Sequence, residues 1–203
     1  MPGAEEFDEI EFQAARTGNH VRAAVRMGDL AREIAGADDA GAAGTAGAAG
    51  MSRAEAHLRT GEQWLMADDP ERAAEEFSQA VADGGQTFAD PRVSLARAYY
   101  ALGKDAEAGS LMAALRGQQD EVTPRTCDML AELLADQGDL RGALEWATVG
   151  VRHYLARGED GELRLLLRLR YRIRNDLGLG EDEYDRMLDT GSPAGRGGRG
   201  SQR

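Results

Sequence analysis

One cysteine, Cys127, stands in a chain of 203 residues. A single thiol excludes a disulfide framework and any cysteine-rich zinc site, so a reducing compartment, the cytoplasm, is expected. No apolar run approaches the roughly 18 residues of a membrane-spanning helix. The acidic start, with Glu5, Glu6, Asp8, Glu9 and Glu11, is the opposite of a secretory signal. Basic charge is scarce: 24 Lys and Arg face 36 Asp and Glu, a formal net charge of −12. With a sequence pI near 4.7, that balance argues against nucleic acid or an anionic membrane as the main partner. Lysine is scarcer still, Lys104 being the only one, while Ala, Gly and Arg abound. Such usage is what a GC-rich genome encodes, and a high-GC bacterium such as an actinomycete is the expected source.

What the chain does contain is a repeat. Ala73, Ala108 and Ala143 stand 35 residues apart, each in a Gly/Asp-led phrase: Asp68-Asp69-Pro70-Glu71-Arg72, Gly103-Lys104-Asp105-Ala106-Glu107 and Gly138-Asp139-Leu140-Arg141-Gly142. Ahead of each lies a helical stretch with a small residue, Gly61, Ala96 or Ala131, where two helices must touch. A period of this size predicts a solenoid of helix pairs, each too small to bury its own apolar face alone. Antiparallel helices joined by a short turn approach closely only where side chains are minimal, which sets Gly61 against Ala73. Asp68-Asp69-Pro70, Gly103 and Gly138-Asp139 stop one helix and cap the next.

This repeat resembles the tetratricopeptide repeat, whose pattern places Trp, Leu, Gly and Tyr on a first helix and Ala, Phe, Ala on a second. Counting from Ala54, Ala89 and Pro124, position 8 is Gly61, Ala96 and Ala131, and position 11 is Trp64, Tyr99 and Leu134. Position 20 is the aligned alanine, position 24 reads Phe77, Met112 and Ala147, and position 27 reads Ala80, Leu115 and Gly150. The first frame follows the second-helix rule through Ala73, Phe77 and Ala80; the other two drift there but keep Leu95 and Leu130 on the first helix. Gly85 stands where the first frame lacks the usual proline, and each repeat is one residue longer than the commonest length.

The resemblance implies an all-α, right-handed helix-turn-helix solenoid with C-terminal capping helices. It implies a non-catalytic adaptor that binds a protein or peptide along a groove lined by positions 2, 5, 9, 12 and 13. Those positions hold Glu55, Leu58, Glu62, Leu65 and Met66, then Asp90, Val93, Arg97, Tyr100 and Ala101, then Arg125, Asp128, Glu132, Ala135 and Asp136. The family's clamp for a C-terminal carboxylate uses Lys and Asn at positions 5 and 9, where this chain has Leu58 and Glu62. The expected surface is instead an apolar strip of Leu58, Leu65, Met66, Val93 and Tyr100 with acidic flanks, suited to a basic amphipathic helix or an extended apolar peptide. The stretch from Gly138 to Leu179 is similar to actinobacterial tetratricopeptide proteins of unknown function, some of them related to proteins with the SEC-C zinc motif. That motif needs several cysteines, so no metal role carries over.

The expected organisation is an N-terminal helical segment over 1–35 and an Ala/Gly-rich linker over 36–50. A repeat domain follows over 51–189, with frames near 54–88, 89–123 and 124–158 and capping helices over 160–189. The tail, 190–203, has the Gly/Arg composition of a disordered end. Met51 is a second candidate start, because Ser52 behind it caps the first repeat. Leu163, Leu166, Leu169 or Arg170, Ile173 and Leu177 lie at helical spacing and predict a capping helix whose other faces carry Arg164, Arg168, Arg170, Arg172 and Arg174.

No catalytic constellation stands out, and no cofactor or metal is expected. His20, His57 and His153 share no ligand spacing, and His57 and Cys127 both fall at position 4, where a packed side chain is expected. Asp68-Asp69 and Asp38-Asp39 pair carboxylates, but at turns, where Asp caps helices. The arginine run admits two readings. It is a solvated face balanced by Glu159, Asp160, Glu162, Asp176 and the acidic end. Alternatively, through Arg164, Arg168 and Arg172, it is the contact surface of a regulatory or accessory subunit of an enzyme or secretion complex.

Overall fold

The structure, a computed structural model, describes residues 3–39, 51–158 and 160–188. Most of the expected linker, from residue 40 to 50, and the tail from 190 lie outside these residues. The described residues form ten α-helices: α1 (Ala4–Thr17), α2 (His20–Asp39), α3 (Arg53–Met66), α4 (Pro70–Asp83), α5 (Pro91–Ala101), α6 (Asp105–Arg116), α7 (Pro124–Asp136), α8 (Leu140–Arg157), α9 (Asp160–Asp176) and α10 (Glu183–Arg186). There is no strand among the described residues, and the fold is an all-α helical solenoid in which helices pack on their sequence neighbours.

The 35-residue period is written into the turns. Asp69 N–H donates to the Trp64 carbonyl at 3.0 Å, Lys104 N–H to Tyr99 at 2.8 Å and Asp139 N–H to Leu134 at 2.9 Å, the long bond of a Schellman motif. The turn residue between is left-handed each time: Asp68 at φ 60°, Gly103 at 69° and Gly138 at 79°. The next helix then starts on a side-chain cap in two of the three, Asp69 accepting from Arg72 N–H and Asp139 from Gly142 N–H. Ser52, Asp90 and Thr123 cap the first helix of each frame in the same way.

The helices group into two compact units, Met1–Gln118 and Gln119–Arg203. In the first, α2 packs on α3, α3 on α4 and α5, and α5 on α6. The N-terminal segment expected to stand apart is part of this unit. Phe7, Met27, Leu30 and Ile34 bury themselves in one cluster with Ala56 of α3, while Leu58, Trp64, Ala73, Phe77 and Leu95 form a second with Ala24 of α2. Burial of that many large apolar groups is ample reason for α1 and α2 to join the repeats. In the second unit α7, α8 and α9 pack in order, and α10 closes on α9. The stretch expected as one domain, 51–189, therefore falls across both units.

The atoms nearest Gly61 belong to the ring of Phe77: a Cβ there would stand 2.5 Å from Phe77 Cε1. Gly150 holds the equivalent role in the third hairpin, where a Cβ would meet Cys127 Cβ at 2.9 Å and Leu166 Cδ2 at 2.6 Å.

Candidate binding surfaces

In the first unit α3 and α5 lie side by side, as the first helices of consecutive frames should. Their position-5 residues do not line a groove. Leu58 and Val93 are both wholly buried, which corrects the expectation of an exposed apolar strip. The reason is that helices pack on both flanks of α3 and α5, so position 5 faces a neighbour; Leu58 shares its cluster with residues of α2, α4 and α5. Leu65 is half-buried and packed on the same cluster. What remains outward is Met66, 59% exposed, with half-buried Glu62, Arg97 and Tyr100 on the same two helices.

In the second unit Asp128 is also buried, ion-paired to Arg125 Nη1 at 3.1 Å, while Glu132 is exposed. Burial, then the nearby charge of Glu132, push the Asp128 carboxyl above its ordinary range, with Arg125 only partly opposing them. On α8, the Tyr154 hydroxyl donates to Glu162 Oε2 at 2.7 Å, so Glu162 is engaged there and not with the arginine run.

That run divides in two. Arg174, expected on an outer face, and Arg170, which the spacing also allowed on the packing face, turn inward onto α10. Arg170 Nη1 donates to Asp182 Oδ1 at 3.0 Å and to Asp185 Oδ1 at 3.1 Å, and Arg174 Nε to Asp185 Oδ2 at 2.8 Å. The Arg170 guanidinium also lies 4.9 Å from the Tyr184 ring centroid. The Arg170 hydrogen bond holds the Asp182 carboxyl down to about 2. Arg164, Arg168 and Arg172 point outward and have no ion-pair partner among the described residues.

Two features had no sequence signal. Arg59, one place beyond position 5, ties α1 to α3 through Asp8 and Glu11 at 2.6 Å and stacks over Phe7. A hollow of about 410 Å³ in the second unit is lined by Leu144, Val149, Leu177 and Leu179, with Arg141 and Arg152 beside them. Both depend on which helices meet, which periodicity does not encode.

His57 is buried with its Nδ1 2.7 Å from Glu76, and burial pushes the Cys127 thiol up to about 12, where it is a poor nucleophile. Among the described residues no cluster of His, Cys, Asp and Glu could hold a metal ion, and no helix is long and apolar enough to cross a membrane. Compared with known proteins, the chain matches no family model, no curated protein and no solved structure.

Proposed function

We propose that this chain is a non-catalytic adaptor of the tetratricopeptide type, acting in the cytoplasm of a high-GC bacterium and binding a protein segment along its first helices. The observation that supports this reading is the recurrence of one hairpin geometry: three Schellman turns at Trp64, Tyr99 and Leu134, each with a left-handed residue four positions on. A fold made of repeated hairpins presents a row of first helices, and rows of this kind bind extended or helical segments. In the first unit the contact residues are Met66, Glu62, Arg97 and Tyr100; Leu58 and Val93 serve the core instead. In the second, exposed Glu132 is the position-9 counterpart.

Affinity capture from the native cytoplasm, followed by crosslinking to locate the bound segment, tests this. The double variant M66D/Y100E is expected to lose the partner at unchanged helical circular dichroism, with crosslinks in the wild type mapping to α3 and α5. R168E/R172E serves as the rival surface. Loss of the partner in that variant alone would reject the first-helix row as the binding site.

A further inference from the structure

The outward face of α9 has a counterpart in this same chain. Arg168 and Arg172 stand four residues apart, with Leu165 three residues ahead, and all three are exposed, Leu165 at 60%. On α1, Glu5 and Glu9 stand four apart and Phe12 three beyond, likewise exposed, Phe12 at 56%. Residues at such spacings share one helix face. Glu9 accepts one hydrogen bond from Gln13, and Arg16 lies 5.6 Å from the centroid of the Phe12 ring. Both contacts lie within α1 itself.

Run antiparallel, the two faces fall into a single register. Glu5 then meets Arg172, Glu9 meets Arg168, Phe12 meets Leu165 and Gln13 meets Arg164, because both helices rise by about 1.5 Å per residue. Opposite charges meet at two successive turns, and the two large exposed apolar groups meet at the third. In a chain of net charge −12, an outward basic face is the exception, and α1 supplies acidic groups at its spacing. We infer that α9 of one copy docks on α1 of a second copy, so that the chain associates with itself.

One helix pair is a small interface, below the roughly 1,000 Å² of a stable complex, so the association is weak and concentration-dependent. Exposed ion pairs are screened by salt, so it weakens as ionic strength rises.

Sedimentation velocity on the full chain tests this over a range of concentrations at low and high salt. At low salt the weight-average mass is expected to climb above the 21.8 kDa of one chain, and to return towards it at high salt. E5R/E9R and R168E/R172E should each lower the association constant by about tenfold or more, since two attractions become repulsions. Combining all four changes in one chain should restore association. If circular dichroism shows a reversal variant misfolded, E5Q/E9Q and R168Q/R172Q replace it, with a smaller loss expected. A wild type that keeps the mass of one chain throughout overturns the inference. So does association that survives the reversals, or folded four-fold variants that fail to recover it.

Discussion

The Cα of Gly61 on α3 lies so close to the buried ring of Phe77 on α4 that an added Cβ would stand 2.5 Å from Cε1 and 2.7 Å from Cδ1. Phe77 is fully buried, so its ring has no free space into which to swing. Alanine favours a helix over glycine by about 1 kcal/mol, but overpacking costs typically about 1–3 kcal/mol. Gly61→Ala is therefore expected to lower the melting temperature, and Phe77→Leu in the same chain to recover part of the loss relative to Phe77→Leu alone. Thermal melts of the four-member cycle check this, and additive effects would show that the two residues do not clash.

Asp68 is the one non-glycine residue with positive φ among the described residues, at a turn whose equivalents are Gly103 and Gly138. A side chain in the left-handed region costs roughly 1–2 kcal/mol, less for Asp, whose carboxylate bonds locally. Asp68→Gly is expected to stabilise the fold by a few tenths to about 1 kcal/mol. Chemical denaturation would reveal it as a higher midpoint at unchanged slope.

Arg170 and Asp185 are both nearly completely buried, with side chains 4% and 3% exposed. Removing one member of such a pair strands the other charge, at about 3–5 kcal/mol. Arg170→Met should destabilise the second unit strongly and release α10 to proteolysis. Replacing Arg170, Asp182 and Asp185 together by apolar residues should cost less than the single change. A triple variant as unstable as the single one would mean that packing, not charge, dominates.

Asp128 carries the opposite sign. Its folded-state affinity for a proton is raised, first by burial, so its contribution to stability is greatest at low pH and lost as pH rises through its folded pKa. Asp128→Asn should accordingly melt above wild type at neutral pH, and the gap should close as pH falls into the carboxylate range. The paired Arg125 is 46% exposed, so losing that ion pair subtracts little. Melting curves of both proteins across pH give the comparison, and a gap that widened on acidification would contradict it.

By itself the sequence determined what local chemistry decides. The 35-residue phrase, led by Gly or Asp and capped by Ser52, Asp69 or Asp139, specifies where each helix stops and the next begins, because turn dihedrals and caps involve only near neighbours. The burial of His57 and Cys127 followed from their place in that frame. Tertiary structure decided which faces stay outside. Leu58 and Val93 lie on the expected groove positions, yet both are wholly buried, Leu58 among residues of α2, α4 and α5, and no periodicity reveals how many helices will pack on one face. In the arginine run, all five side chains share one composition, but the 100° step of the helix and the arrival of α10 send Arg170 and Arg174 inward to Asp182 and Asp185. Arg164, Arg168 and Arg172 stay outward, because ion pairing distant in sequence depends on where the chain returns.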